Sequence, residues 1–298
     1  MNIKINLSDG CALFVSKNKI ALSGASGFVG RNVGKFLAEN GYDVVALARK
    51  KGKINFGKTV TSQDLTEKNL AKNLRGSQAF LHFIGTGRQT TQEDYEAINV
   101  NLAKNAILLC KNSGIKKIIY LSGLGVDKKS TLGYFISKFK AEQEIIRSGL
   151  DYTIFRPSYI MGKGDPLSQM LLGQIAKGSV VIPGSGRYRM QPISVYDVAQ
   201  VVEKAIFGKQ FSRKIIDLVG PKTVTYNQFV RNFVGKAKIR HVEFEEEYHN
   251  ALVSRSQFGV DDLSILVGDY IGNHRKLASL SKIVFAGYRE MLEACSLA

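Results

Sequence analysis

The chain has 298 residues, of which 44% are apolar and 22% charged, as in a folded globular protein rather than a disordered or fibrous one. It is strongly basic, since 42 lysines and arginines against 25 aspartates and glutamates give a formal net charge of +17. This excess predicts an anionic partner, whether a nucleic acid, a membrane surface or a phosphorylated small molecule.

Several protein classes are disfavoured by what the sequence lacks. No apolar run approaches the about twenty residues of a membrane span, and the stretch from Cys11 to Val15 is too short for a secretory signal. The cysteines are too far apart for a metal site or a full set of disulfides, which favours a reducing, cytoplasmic location. No zinc motif is formed by the four histidines, His82, His241, His249 and His274.

From Lys19 to about Phe155, short β-like runs alternate with helix-like stretches, which is typical of parallel βαβ units. The predicted strands are Ile20–Ser23, Asp43–Ala48, Phe80–Ile84, Lys117–Leu121 and Tyr152–Phe155. The predicted helices between them are Val29–Asn40, Asp94–Cys110 and Tyr134–Ser148. We therefore expect an α/β fold with a doubly wound parallel sheet.

After Arg156-Pro157 the elements become shorter and richer in glycine. A helix, Tyr196–Phe207, and a strand, Ile215–Val219, are expected to return to the first sheet. This predicts a nucleotide-binding domain over 1–160, joined by 193–220. A smaller lobe for a substrate or a partner would comprise 161–192 and 221–298, including a helix-like stretch from Ser281 to Leu297.

A glycine-rich turn follows the first predicted strand. It is the GxxGxxG sequence from Gly24 to Gly30, with Ser26, Gly27, Phe28 and Val29 inside it. The first two glycines allow a tight turn and a close approach of the backbone to a pyrophosphate, and Gly30 lets the helix pack closely. The helix N-terminus then offers N–H groups to the phosphates, so the turn favours a dinucleotide site over a plain turn.

Basic residues follow the second predicted strand. An NAD site usually has an acidic residue there for the ribose 2′-hydroxyl, whereas this chain has Arg49, Lys50, Lys51 and Lys53. Such a cluster attracts a 2′-phosphate, which favours NADP(H) over NAD(H). The alternative is a solvated basic loop.

Tyr134 and Lys138 form a YxxxK pair, one turn apart on the face of a predicted helix. A nearby ammonium stabilises a phenolate and lowers its pKa, so Tyr134 could exchange a proton with a carbonyl oxygen. With twelve tyrosines the spacing also arises by chance, as at Tyr159 and Lys163. Ser122 ends the strand before the helix, at the sheet edge where ligands bind, which favours the set Ser122, Tyr134 and Lys138.

With these motifs the chain resembles the extended, epimerase-like branch of the short-chain dehydrogenase/reductase superfamily. The resemblance implies that Asp64 and Leu65 contact adenine and that Asn99 belongs to the site. It also implies that Lys138 holds the ribose. Nicotinamide contacts are implied for the end of the fourth strand, Phe83, Ile84 and Gly85, and for Pro157 and Ser158. Because His82 and Phe83 replace small residues of the family, we expect a bulkier and more closed nicotinamide side.

The segment Pro192–Ala199, with Gly184–Gly186 before it and Val219–Pro221 after it, is most similar to the subgroup of the NADPH-binding accessory subunit of respiratory complex I. Within it, Asp197 is expected to be a helix cap rather than a catalytic acid. The last sixty residues match no known pattern; their apolar residues could cover the substrate lobe or pack against a second chain.

Three functions remain open. The first is an NADP(H)-dependent oxidoreductase acting on a carbonyl or secondary alcohol of a small molecule, with Tyr134 as acid or base and Ser122 orienting the substrate oxygen. The second is a non-catalytic NADPH-binding structural or regulatory protein. The third, a nucleotide-sugar epimerase or dehydratase, is disfavoured by the short connection from Ser122 to Tyr134. Nucleic-acid and membrane-surface binding lack their usual motifs, while a homo-oligomer or a protein partner is expected through the C-terminal region.

Overall fold

The computed structural model describes residues 18–50, 52, 54–89, 94–234 and 237–296. The strands within them are, in chain order, β1 (Lys19–Ser23), β2 (Asp43–Ala48), β3 (Lys58–Thr61), β4 (Ser77–His82), β5 (Lys117–Leu121), β6 (Asp151–Pro157), β7 (Ile160–Met161), β8 (Ser179–Pro183), β9 (Arg189–Met190), β10 (Ile193–Ser194), β11 (Lys214–Leu218), β12 (Val224–Thr225) and β13 (Lys238–Val242).

The α-helices are α1 (Phe28–Glu39), α2 (Leu70–Leu74), α3 (Leu102–Ser113), α4 (Gly133–Arg147), α5 (Pro166–Ala176), α6 (Val195–Phe207), α7 (Tyr226–Val234), α8 (Phe244–Leu252), α9 (Val260–Leu266), α10 (His274–Ser281) and α11 (Tyr288–Ser296). A π-helical turn, Glu96–Asn101, leads directly into α3, and a short 3₁₀ turn, Lys209–Phe211, follows α6.

Seven parallel strands form the main sheet, in the order β3-β2-β1-β4-β5-β6-β11. Its central strands are apolar and buried on both faces, because helices cover both sides of the sheet. One core cluster joins α1 and α6 to the sheet, and another joins α3 and α4 to its opposite face. This is the doubly wound α/β fold that the sequence predicted.

A third apolar cluster lies outside the sheet. It combines residues of β8, α5 and α7 with Tyr288, Met291 and Cys295 of α11. The C-terminal segment also contacts the sheet layer, since Leu277 of α10 is fully buried in the cluster formed with α1 and α6. The division of the chain into two domains remains a prediction, with its boundaries at 160, 193 and 220.

Most predicted elements are present within a few residues of their expected ends. Between Lys19 and Phe155, the edge strand β3 and the short helix α2 were not predicted, and beyond Arg156 the same holds for α5, for α7 to α10 and for the short strands β7 to β10, β12 and β13. The helix expected over Ser281–Leu297 is wrong, because Lys282 adopts a left-handed conformation (φ 54°) that ends α10, and α11 begins only at Tyr288. Among the described residues, no helix is both long and apolar enough to cross a lipid bilayer.

Candidate active site

The glycine turn has the close backbone contacts that its sequence predicted. Gly24 has a positive φ of 75°, and a Cβ there would lie 2.6 Å from the carbonyl carbon of Phe83. A Cβ on Gly30 would lie 2.1 Å from the carbonyl oxygen of Gly24, so the first turn of α1 packs directly on the loop. Gly27 precedes α1, whose first N–H groups lack partners within the helix. The turn thus fits a pyrophosphate at the helix N-terminus.

A cleft of about 270 Å³ opens beside this turn, at the carboxyl ends of the strands. Its walls come from the turn, from the end of β2, and from the segments that follow β3 and β4. Of the predicted cofactor residues, those that line it are Gly24, Ser26, Gly27, Arg49, Leu65, Phe83, Ile84 and Gly85. Ser62, Gln63, Thr86, Ile98 and Leu102 also line the cleft and were not predicted, although each lies within a few residues of a predicted cofactor residue.

The wall of the cleft at the end of β2 is basic. Arg49 is exposed on the wall, and its carbonyl oxygen accepts a hydrogen bond from the Gln63 amide. Lys50 is exposed next to it, outside the lining of the cleft. Lys51 and Lys53 lie outside the described residues. The described part of the cluster can therefore offer a guanidinium to an anion in the cleft.

The other predicted cofactor residues lie around the cleft rather than on its lining. Asp64 is exposed, and its carboxylate accepts hydrogen bonds from Thr66, which lower its pKa. The phenyl ring of Phe28 lies next to Gly162, since a Cβ on that glycine would be 3.2 Å from the ring. Val29 packs against the core cluster of α1 and α6. Their contact with a cofactor remains a prediction.

Asn99 is fully buried and holds the loop that follows β4. Its amide oxygen accepts from the Thr86 N–H (3.0 Å), while its amide nitrogen donates to the Thr86 carbonyl (3.1 Å) and to the Ser137 hydroxyl (2.9 Å). These bonds tie the loop with Gly85 to α4. The structure thus gives Asn99 a positioning role beside the cleft.

Lys138 lies beneath this loop in a buried position. Its ammonium donates to the Leu121 carbonyl (3.1 Å), and a Cβ on Gly85 would lie only 2.5 Å from Nζ. Burial lowers the pKa of Lys138 to about 8, and the Glu142 carboxylate one turn later opposes that shift. Lys138 is therefore a cation held directly under the backbone of the nucleotide cleft.

His82 is fully buried and does not line the cleft. Its Nδ1 lies 2.8 Å from the Ser23 hydroxyl, and its ring stacks on Tyr120 at 5.7 Å between centroids. Burial lowers the pKa of His82 to about 3, with the charge of Lys138 acting in the same direction. The imidazole is thus neutral at physiological pH. Of the bulky residues at the end of β4, Phe83 and Ile84 line the cleft, and their contact with a nicotinamide remains a prediction.

Tyr134 and Ser122 both lie near the carboxyl end of β5. The Tyr134 hydroxyl lies over Gly123, where a Cβ would be 2.9 Å from Oη. Ser122 is buried, and its hydroxyl has no hydrogen-bond partner among the described residues. The expected lowering of the Tyr134 pKa by Lys138 is wrong for the protein alone, because burial raises this pKa to about 12. Tyr134 is therefore a protonated phenol at neutral pH.

A buried ion pair supports the helix that carries Tyr134 and Lys138. Arg156 donates from Nε (2.9 Å) and Nη2 (2.6 Å) to the two carboxylate oxygens of Glu142, whose side chain is fully buried. The bidentate pair fixes α4 against β6 and raises the pKa of Arg156. This pair was not predicted from the sequence, although Glu142 follows Lys138 at helical spacing.

A second cavity, of about 400 Å³, begins at the Tyr134 side chain and runs between the sheet and the third apolar cluster. Its floor includes Gly123, Leu124 and the predicted residues Pro157 and Ser158. Ser158 also links two chain segments, because its hydroxyl donates to the Tyr270 carbonyl (3.2 Å) and accepts from the Gln191 N–H (3.1 Å). Most of the wall residues had no predicted role.

Asp197 is not the helix cap that was predicted. Ser194 caps α6 by accepting from the Tyr196 N–H, whereas the Asp197 carboxylate accepts from the Ala286 N–H at 3.0 Å. Burial raises the pKa of Asp197 to about 6. Its partner is 89 residues away in sequence, so no local pattern could reveal it.

Comparison with known proteins agrees with this geometry. The family model described as NAD(P)H-binding matches residues 24–208, more than half of the chain. The mitochondrial NADH-ubiquinone oxidoreductase 40 kDa subunit of Neurospora crassa is 26% identical over 212 residues, covering 68% of this chain and 56% of that protein. The ceramide reductase of Caulobacter vibrioides is 29% identical over 190 residues, covering 62% of this chain and 59% of that protein. This chain thus spans less than two thirds of either relative.

A solved structure supports the fold. The UDP-glucuronic acid 4-epimerase of Bacillus cereus, in complex with UDP-glucuronic acid and NAD, superposes with a TM-score of 0.73 at 18% identity, covering 93% of this chain and 97% of that one. These findings confirm the resemblance to the epimerase-like branch of the short-chain dehydrogenases/reductases and to the complex I subunit. The chain belongs to the NAD(P)H-binding family.

Proposed function

We propose that the protein is an NADP(H)-dependent oxidoreductase that interconverts a carbonyl and a secondary alcohol of a small molecule. The observation that carries this proposal is the cavity of about 400 Å³ that ends at Tyr134. A protein that only stores a nucleotide has no need for a cavity at this phenol, whereas a reductase needs one for its substrate. The name of the bacterial relative, a reductase, supports the same reaction class.

The site residues suit the reductive direction. The bound nicotinamide would supply the hydride that a carbonyl carbon accepts. Tyr134, protonated because its pKa is raised to about 12, would give its proton to the carbonyl oxygen, and the product is a secondary alcohol. The unpartnered hydroxyl of Ser122 would donate a hydrogen bond to that oxygen. Lys138 would hold the ribose, and its ammonium would stabilise the phenolate that Tyr134 becomes after giving up its proton.

The test is NADPH oxidation by a panel of aldehydes, ketones and quinones. Tyr134→Phe is expected to lower turnover about a hundredfold to ten-thousandfold, the usual contribution of one acid or base, with NADPH affinity retained. Tyr159→Phe is the matched control, because Tyr159 also lines the cavity and starts the other YxxxK sequence. Equal activities for wild type and Tyr134→Phe across the panel would contradict the proposal.

The preference for NADP(H) rests on Arg49. A guanidinium bound to the 2′-phosphate contributes about 1.5–3 kcal/mol, so Arg49→Ala should lower the ratio of NADPH to NADH affinity about tenfold to hundredfold. Lys35→Ala, which removes an exposed lysine on α1 that pairs with Glu39, should leave the ratio unchanged. Fluorescence titration of both nucleotides measures the ratio; an unchanged ratio in Arg49→Ala would assign the cluster to the solvated surface.

A second candidate is a non-catalytic NADPH-binding protein within a complex. It is favoured by the similarity to the 40 kDa subunit and by exposed apolar side chains in the C-terminal region, among them Val284 (92%), Leu252 (61%) and Ile271 (40%). Such surfaces are typical of contacts with a partner or a second copy. This candidate predicts that NADPH raises the melting temperature while no carbonyl substrate consumes it.

A further inference from the structure

The walls of the 400 Å³ cavity differ in character from the basic nucleotide cleft. Between the phenol of Tyr134 and the far end, the cavity is lined mainly by aliphatic and aromatic side chains. Those that matter here are Leu124, Leu167, Met170, Phe258, Ile265 and Leu266. Leu124 comes from the segment after β5, two of the others from α5, and the remaining three from α9 and the residues before it.

The charged groups of this cavity are already paired. Its arginines are Arg88 and Arg189, and both side chains are more than half exposed, which places them at the rim. Arg88 forms an ion pair with Asp262, and Arg189 donates from Nε (3.0 Å) and Nη2 (2.7 Å) to the same carboxylate oxygen of Asp269. An anionic ligand would have to compete with a carboxylate for either arginine.

The partial positive charge at the N-terminus of α5, which begins at the cavity wall, is also neutralised. Pro166 at the start of α5 lines the cavity, and the N-terminus of a helix attracts anions. Here the buried Asp165 carboxylate occupies that position, accepting from the Ser168 N–H (2.8 Å) and the Gly162 N–H (3.3 Å). A phosphate would therefore meet a carboxylate rather than free N–H groups.

We propose that this cavity takes a hydrophobic ketone or secondary alcohol with a long aliphatic chain, and that it does not take a sugar nucleotide. The oxygen-bearing carbon would lie at Tyr134 and the chain along α5 and α9. The assignment of a substrate to this cavity rests on the proposed function. An apolar substrate would distinguish this chain from the epimerase with the same fold, because the ligand of that epimerase carries a diphosphate.

The kinetic test compares methyl ketones from butanone to dodecan-2-one as oxidants of NADPH. Each added methylene that enters the cavity contributes about 0.8 kcal/mol, so kcat/KM should rise about fourfold per methylene until the cavity is filled. Equal kcat/KM values for butanone and dodecan-2-one would overturn the proposal.

A binding test, independent of turnover, uses calorimetric titration of dodecan-2-one and of UDP-glucose into the protein loaded with NADP+. Dodecan-2-one should bind with a negative heat-capacity change, and UDP-glucose should not bind. Met170→Gln puts an amide into the apolar wall at nearly constant volume and should weaken ketone binding about tenfold. Leu108→Gln, at a position 57% exposed on α3, is the matched control and should leave binding unchanged.

The two tests separate the two proposals. One outcome is that NADPH is not oxidised with any ketone, while dodecan-2-one binds and Met170→Gln weakens that binding. This outcome would support the apolar ligand class and contradict the oxidoreductase proposal. If NADPH is consumed only by short polar carbonyls, or if UDP-glucose displaces dodecan-2-one, the ligand class is wrong and the reaction type stands.

Discussion

Replacing Arg156 with methionine should destabilise the protein far more than removing an exposed cation. The variant leaves the carboxylate of Glu142, fully buried in the wild type, without its bidentate partner. Breaking one side of a buried pair costs about 3–5 kcal/mol, because the remaining charge keeps its desolvation penalty and loses its compensation. With an unfolding entropy of about 0.6 kcal/mol/K for 298 residues, this loss lowers the melting temperature by about 5 to 8 °C.

Urea unfolding followed by circular dichroism measures the loss in the free energy of unfolding. Two further variants serve as controls. Lys140→Met breaks the exposed pair with Glu96, whose side chains are 54% and 48% exposed, and should cost at most about 1 kcal/mol. Combining Arg156→Met with Glu142→Leu removes both charges and should recover most of the stability. If Arg156→Met and Lys140→Met lose equal stability, or if the double variant is as unstable as Arg156→Met, the pair is not what fixes α4.

Two other predictions concern the turn and the buried histidine. Gly30→Ala should lose about 1–3 kcal/mol of stability and bind NADPH more weakly, because its Cβ would lie 2.1 Å from the Gly24 carbonyl oxygen. Gly173→Ala, in the open middle of α5, should instead raise the free energy of unfolding by about 0.5–1 kcal/mol. Equal changes for the two variants in urea unfolding would show that Gly30→Ala creates no clash. The pKa of His82 is about 3 in the folded protein against an ordinary value of 6.5, so its contribution to stability is full above pH 6.5 and is lost as the pH falls toward 3. His82→Phe should therefore be less stable than wild type at pH 7, and the difference should shrink by about 3 kcal/mol by pH 4; a constant difference would mean that His82 does not titrate on unfolding.

Local signals in the sequence were enough to predict the glycine turn and the helix that carries Tyr134 and Lys138. The spacing of Gly24, Gly27 and Gly30 and the YxxxK pair on α4 each lie within one turn or helix, so their geometry follows from backbone rules. The edge strand β3 escaped because its sequence, KTVT, is short and half polar, as exposed edge strands usually are.

What the sequence did not predict depends on contacts between distant segments. The Asp197 carboxylate binds the N–H of Ala286, and the walls of the apolar cavity join Leu124 to Phe258 and Leu266. The pKa of Tyr134 was predicted in the wrong direction because spacing shows that an ammonium is near but not how far burial removes the phenol from water. The preference for NADP(H) and the cytoplasmic location remain predictions.

The π-helical turn from Glu96 to Asn101 has a consequence for how this site tolerates insertions and deletions. A π turn holds one more residue than an α turn, so the helix faces before and after it are offset by one position. Tyr95 packs against Tyr134 on one side of the turn, and Leu102 and Ala103 enter the nucleotide half on the other. Deleting a single residue here would convert the turn to an α-helix and rotate Asn99 by about 100° away from Thr86. The number of residues in this turn therefore matters for the site as much as the identity of Asn99 does.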